Sequence, residues 1–405
     1  MRFLYFKEAN AVREAERVLA APELLKVGGA DVFLAHFLAV AAENSKLVLS
    51  LHVTAPEHDE QFGLDGLEIK SYYYFSPRLV KFGHVFRRSP FTLARRSWVA
   101  ACILIRIVSF RPNRMLCWCT AFPLWGCYLA ATLTGAKFVV SRHTRYPLPD
   151  EPWFRQLRAW VDKRIHRRAD AVLVHGPYLA EETKAAGIHP DRIIEFDCTY
   201  PPGGTWNRGA IAETDGAVGC RNDGVQEILF LGRLEANKGV FDLLEACVPL
   251  LKRRPSLKLA YAGNGEAAGK LRAAVASHGV EQQVVLLGSV PHEDLPARIR
   301  KAGVVVTPTR REFPEGRCMA AMEGLVAGRP LIAPAYGPFP YLVQHGKNGL
   351  LYEPDSVVSL RECLARVVED SDLYSALISG ARDSSDALRA HEFGYYDAVK
   401  EAFEQ

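Results

Sequence analysis

Two glutamates with seven residues between them, Glu315 and Glu323, stand in the stretch Thr307-Pro-Thr-Arg-Arg-Glu-Phe-Pro-Glu-Gly-Arg-Cys-Met-Ala-Ala-Met-Glu-Gly-Leu325. Pro308 and Pro314 forbid regular structure up to Glu315, and helix formers take over from Arg317. The pattern predicts Glu315 at the mouth of a helix and Glu323 about two turns inside it, roughly 12 Å along the axis. A helix N-terminus presents free backbone N–H groups and the positive end of a dipole, which suits a phosphate or diphosphate. A carboxylate on each side of that anion can hold hydroxyls at the two ends of a sugar nucleotide. The plainer alternative is a capping Glu followed by a solvated helix Glu.

Arg233 and Lys238, in Phe230-Leu-Gly-Arg-Leu-Glu-Ala-Asn-Lys-Gly239, form a second constellation. One supplies a fixed fork of donors and the other a mobile point charge, a natural clamp for a diphosphate. Together these elements carry a family resemblance. Glu315 and Glu323 resemble the E-x7-E motif of retaining glycosyltransferases of family 4, on the GT-B fold. The flanks Leu325-Val-Ala-Gly-Arg-Pro-Leu-Ile-Ala-Pro-Ala-Tyr-Gly-Pro338 and His345-Gly-Lys-Asn-Gly-Leu-Leu351 are similar to that family, as is the G-R-x4-K-G text from Gly232 to Gly239. The resemblance is strong from residue 226 to 370 and looser before.

It implies an α/β architecture of two Rossmann-like doubly wound domains facing a cleft. It also implies a nucleoside-diphosphate sugar donor, a glycan or lipid-linked acceptor, and no cofactor or metal. The expected catalytic set is Glu315, His143, Arg233 and Lys238. The expected donor-binding set adds Gly28, Gly29, Gly232, Gly263, Gly288, Val290, Gly316, Arg317, Cys318 and Glu323. His143 follows the apolar strand Lys137 to Ser141, and ligands of open α/β sheets bind beyond the carboxyl ends of strands. Cys318 is a departure, because family members often have glycine at that place.

The elements that must position these residues follow from the hydrophobic pattern. From Gln226 onward, strands Glu227–Leu231, Lys258–Ala262 and Val284–Leu287 alternate with helices, and each strand ends in a small-residue loop. Earlier strands are expected at Arg2 to Phe6, Lys46 to His52, Leu67 to Tyr73, Met115 to Trp118 and Arg192 to Phe196, and an amphipathic basic helix at Trp153 to Arg168. Gly28-Gly29 opens another helix. The Gly/Pro-rich stretch 201–225 is linker chemistry between an acceptor-binding domain, 1–200, and a nucleotide-sugar-binding domain, 226–390. The last segment, 391–405, is expected to form a helix crossing back to the first domain.

Composition excludes other classes. A 405-residue chain with 49% hydrophobic and 24% charged residues can bury large cores and is ordinary for a soluble protein. The apolar run at Met1–Lys7 is too short for a signal peptide, and Trp98 to Phe110, interrupted by Arg106, is too short to span a bilayer. Nine cysteines without paired C-x-x-C spacing fit a reducing, cytoplasmic setting. Residues 1–200 carry 27 Lys and Arg against 20 Asp and Glu, and Ile69 to Pro149 contains no acid at all. Basic residues mixed with aromatics there predict an anionic membrane surface as partner, with the protein peripheral on the inner face. No nucleic acid is expected. Three rivals remain: a non-catalytic GT-B subunit, a sugar-nucleotide epimerase or hydrolase on the same architecture, and an NAD-linked oxidoreductase, which lacks its glycine fingerprint here.

Overall fold

Runs such as Phe138–Val140 within Lys137–Arg142 and Ala171–Val174 within Ala171–His175 are apolar throughout, the pattern of strands covered on both faces. In the computed structural model both lie inside a parallel sheet, with all five residues of Ala171–His175 buried. The structure describes residues 2–7, 37, 40–41, 47–54, 68–75, 101, 104–118, 120–197, 225–291, 294–390 and 393–405. Gly28, Gly29, Arg87, Arg88, Arg95, Arg96 and the stretch 201–224 lie outside these residues.

By its contacts the chain divides into two units, Met1–Thr199 with Phe393–Gln405, and Tyr200–Glu392. The first unit holds strands β1 (Arg2–Lys7), β2 (Leu47–Thr54), β3 (Glu68–Phe75), β4 (Arg114–Trp118), β5 (Lys137–Arg142), β6 (Ala171–His175) and β7 (Ile193–Phe196). They pair in the order β3-β2-β1-β4-β5-β6-β7, every pair parallel. Helices α1 (Ala121–Thr134), α2 (Trp153–His166) and α3 (Pro177–Ala185) belong to the same unit.

The second unit holds β8 (Glu227–Leu231), β9 (Lys258–Ala262), β10 (Val284–Gly288), β11 (Val304–Val306), β12 (Leu331–Pro334) and β13 (Gly349–Tyr352), ordered β10-β9-β8-β11-β12-β13 and again parallel. Its helices are α4 (Val240–Arg253), α5 (Ala268–His278), α6 (Leu295–Arg300), α7 (Met319–Val326), α8 (Phe339–Leu342), α9 (Val357–Glu369) and α10 (Ser371–Arg389). The amphipathic α4 buries Val240, Leu243, Leu244, Cys247, Leu250 and Leu251, and the buried Tyr261 hydroxyl donates to Val240 O at 2.9 Å. The chain ends in α11 (Tyr395–Glu404), packed against β6 and β7 of the first sheet, with Phe403 edge-on to Phe3 at 5.3 Å.

Both sheets have the doubly wound order, running outward from a central pair in each direction. Several local expectations are corrected. The helix expected to open at Arg317 begins at Met319, because Cys318 is left-handed (φ 57°) and cannot join it. Helix α10 and strands β12 and β13 carry no expectation from sequence, although Asp370 caps α10 by accepting from Leu373 N at 2.9 Å. Its Gly380 and serines dilute a helical pattern whose core positions are Tyr374, Leu377, Ile378 and Ala381.

Candidate active site

In the second sheet the strand order reverses between β8 and β11, which pair in register from Val304↔Ile228 to Val306↔Phe230. At such a switch point the loops beyond the carboxyl ends diverge and leave a crevice. Here those loops carry Gly232 to Gly239 and Thr307 to Cys318, which contain half of the residues that the sequence singles out.

Four contacts zip the second loop to the first and to the start of α4. Arg310 N donates to Asn237 O at 3.0 Å. The Arg310 guanidinium forks onto Asp242 at 2.7 and 2.6 Å, which holds its pKa above the usual value. Lys238 Nζ donates to Glu315 Oε2 at 2.6 Å, with both side chains largely buried. Gly239, at φ 71°, lies so close to the Pro308 carbonyl that a Cβ would fall 1.8 Å from its oxygen. Only glycine allows that approach.

Phe313 lies under both cations, with Lys238 Nζ 3.6 Å and the Arg233 guanidinium carbon 5.6 Å from its ring centroid. Arg233 is mostly exposed and pairs with Glu235 at 2.6 Å. A lysine ammonium has three donors, and Glu315 takes one of Lys238's. Two buried oxygens in these loops, Thr307 Oγ1 and Asn237 Oδ1, lack a hydrogen-bond partner. Buried polar atoms are costly to leave so, and they mark places where a ligand can bond.

The loops after β8, β9 and β10 continue the ladder past the strands, with Gly232 N on Ala262 O at 3.0 Å and Gly263 N on Gly288 O at 2.7 Å. A Cβ on Gly263 would meet Gly232 O at 1.8 Å. Gly232, Gly263 and Gly288 therefore share one edge, and Val290 follows half-buried.

The carboxylates differ from expectation. Glu315 stands four residues ahead of α7 rather than at its mouth and is held by Lys238. Glu323 lies about one turn inside the helix and is buried, so it is not a solvated helix Glu. Burial pushes its carboxyl up to about 8, so it carries its proton at neutral pH. Gly316, Arg317 and Cys318 between them are buried too. Burial, with the Glu315 charge beside it, pushes the Cys318 thiol up to about 12, so it is protonated and inert.

In the first unit, β5 delivers His143 to the carboxyl end of the sheet, where its Nε2 bonds Ser141 Oγ at 2.7 Å. Rings from neighbouring strand ends surround it: Trp118 at the end of β4 at 4.2 Å, His175 at the end of β6 at 6.1 Å and Phe196 at the end of β7 at 5.8 Å. Tyr395 of α11 adds a fourth at 6.1 Å. Arg142 and Arg145 were expected on a basic surface and are instead buried. Arg142 bonds Thr183 and Glu182 (2.7 Å) and lies 3.7 Å from the Tyr146 ring centroid, while Arg145 bonds Glu151 at 2.6 Å. An isolated arginine cannot be buried uncharged, so each is placed by an acid from outside the acid-free stretch.

Sequence reasoning missed Phe313, Asp242, Ser141 and Trp118. Phe313 sits within the quoted motif, yet nothing in its spacing says that it underlies two cations. Among the described residues no group of three His, Cys, Asp or Glu side chains is placed as a metal site, and no helix is long and apolar enough to cross a membrane.

Comparison with known proteins adds a family likeness to the fold. Residues 27–194 match the family model described as Glycosyltransferase Family 4, and residues 215–384 match Glycosyl transferases group 1. The alpha-D-kanosaminyltransferase of Streptomyces kanamyceticus is 24% identical over 63% of this chain and 67% of its own length. The D-inositol 3-phosphate glycosyltransferase of Streptomyces coelicolor is 28% identical over 67% of this chain and 64% of its own. The chain thus spans about two thirds of each of these curated relatives. The fold matches Anabaena HepE, crystallised with UDP and glucose, at a TM-score of 0.64 and 16% identity, covering 100% of this chain and 98% of that one. With both family models matched in chain order and two parallel doubly wound sheets, the chain belongs with the GT-B glycosyltransferases.

Proposed function

We propose that the protein is a retaining hexosyltransferase that needs no metal. It moves a sugar from a nucleoside-diphosphate sugar to a glycan or lipid-linked acceptor in polysaccharide or glycoconjugate synthesis, on the cytoplasmic side of the membrane. The observation that carries this reading is the grouping of Arg233, Lys238, Phe313 and Glu315 in the two loops at the β8/β11 switch point. Two cations beside a buried carboxylate suit an anion whose charge grows while a sugar leaves it. The solved neighbour holding UDP and glucose favours the same class of donor.

In this reading the C1–O bond to the diphosphate breaks as C1 becomes oxocarbenium-like, and Arg233 and Lys238 receive the growing charge without reorganisation. The acceptor oxygen attacks C1 on the face that the diphosphate leaves, and its proton passes to the departing phosphate oxygen. Glu315 and His143 orient the donor sugar, and Glu323 holds the ribose, donating one hydrogen bond and accepting another while protonated. Gly232, Gly263, Gly288 and Val290 line the nucleotide's path, with Gly28 and Gly29 expected in the same donor-binding set.

The carboxylates provide the test, after a screen of labelled sugar nucleotides identifies the donor. Glu315→Gln should lower turnover at least tenfold with little change in donor KM, because positioning matters most at the transition state. Glu323→Gln should raise donor KM severalfold with turnover mostly kept. Normal kinetics in both variants would remove the glycosyl-transfer reading.

A further inference from the structure

Helix α2 is unusual for what it leaves in water. Its core side is conventional: Ala159, Asp162, Ile165 and His166 are buried, and Asp162 accepts from Trp125 Nε1 of α1 at 3.0 Å. The opposite side exposes Trp153 (76%), Phe154 (50%), Leu157 (55%) and Trp160 (58%). Trp153, Leu157, Trp160 and Arg164 recur at helical spacing and form one stripe, with the Arg164 guanidinium 5.3 Å from the Trp160 ring centroid. The neighbouring α1 also exposes Leu129 and Leu133. Between Trp153 and Arg168 stand six basic residues and a single acid, Asp162, which faces the core.

We infer that α2 is a membrane-docking helix, lying in the plane of an anionic bilayer with Trp153, Phe154, Leu157 and Trp160 sunk at the head-group boundary. Indole and phenyl rings flanked by arginines suit that boundary, where an apolar body meets a wet, negative layer. Solitary apolar residues on a surface are common, but four large ones along one helix form a patch that calls for an occupant. Charge selects the occupant. A second copy of this chain would set the same basic helix against itself across a two-fold axis, and like charges would oppose the contact. An anionic lipid surface meets both the apolar stripe and the cations.

The inference shares the membrane setting of the proposed function but none of its chemistry, because docking is measured without donor or acceptor. The full chain is sedimented with phosphatidylcholine vesicles, with and without phosphatidylglycerol. Binding to the anionic vesicles should be at least tenfold tighter and should weaken as salt rises. Trp153→Ser with Trp160→Ser should lower it at least tenfold at an unchanged melting temperature. Brominated lipid should quench tryptophan fluorescence in the parent and much less in that variant. Arg158→Gln with Arg164→Gln should weaken anionic binding and remove most of the salt dependence.

Vesicle binding that survives the tryptophan substitutions would overturn the proposal. So would a variant that turns a dimer into a monomer with vesicle binding unmoved, since the helix would then be a subunit contact. Absence of glycosyl transfer by the parent protein, with its vesicle binding intact, would count against the proposed function alone.

Discussion

The two halves of the molecule share a strand order and differ in what they place at the end of it. Beyond the carboxyl ends of the second sheet, charge meets charge: Lys238 on Glu315, Arg310 on Asp242, Arg233 on Glu235. Beyond those of the first, ring meets ring around His143, whose imidazole bonds the Ser141 hydroxyl. One topology thus carries a cluster of charge pairs and an aromatic-lined imidazole, because a parallel sheet dictates only where its loops emerge. Side chains in those loops decide the chemistry, and the two sites should fail in different ways when cut.

The largest effect is expected in the charged half. Lys238→Met leaves the buried Glu315 without its cation, so turnover should drop at least about 100-fold. Stability should fall by about 3 kcal/mol, because breaking a buried pair strands a charge. Arg233→Ala removes a mostly exposed residue, so turnover should drop about tenfold with an unchanged melting temperature. Kinetics and thermal melts on both variants check this split. Equal melting temperatures would mean that the Lys238–Glu315 pair contributes nothing to the fold.

In the ring-lined half the losses should stay below that of Lys238→Met and be purely kinetic. His143→Ala should lower turnover about tenfold to 100-fold, the range of one positioning or proton-handling group. Ser141→Ala should lower it only a few-fold by freeing the imidazole to rotate. Donor affinity should weaken with salt in both variants as it does in the parent, whereas Arg233→Ala should flatten that dependence. A flattened salt response in His143→Ala would erase the distinction between the halves.

The smallest effect concerns Glu323. Its folded value near 8 lies above the ordinary 4.5, so the folded state holds an extra proton between those limits. The resulting stability is complete below about pH 4.5 and is lost as pH rises through 8. Glu323→Gln cannot ionise and should be indifferent. Between pH 5 and pH 9 the parent should lose several degrees of melting temperature relative to the variant, at about 2–4 °C per kcal/mol. Parallel melting curves across that range would place the carboxyl in a wetter site than its burial indicates.

At Cys318 sequence and structure explain each other. The residue stands where the family resemblance leads one to expect glycine, and its backbone is left-handed, the conformation that glycine adopts without strain. The motif text pointed to the position, and only the dihedral supplies the reason. Its buried side chain lies next to the motif carboxylates and narrows the space that a glycine would leave.

What the sequence determined by itself was periodic or local. Strands Glu227–Leu231 and Lys258–Ala262 occur with the bounds that their apolar runs predict, since a fully buried strand announces itself residue by residue. The small-residue loops at strand ends and the Gly-Arg…Lys-Gly and Glu…Glu texts were readable for the same reason. What tertiary structure decided was pairing at long range. Nothing in the chain text says that Lys238 reaches Glu315 across 77 positions, that Arg310 locks onto Asp242, or that Arg142 and Arg145 turn inward. Those choices depend on which loops the β8/β11 register brings side by side and on which acids lie within reach of a buried guanidinium. The ionisation of Glu323 depends on burial, and burial is a property of the packed sheet and helices rather than of the glutamate.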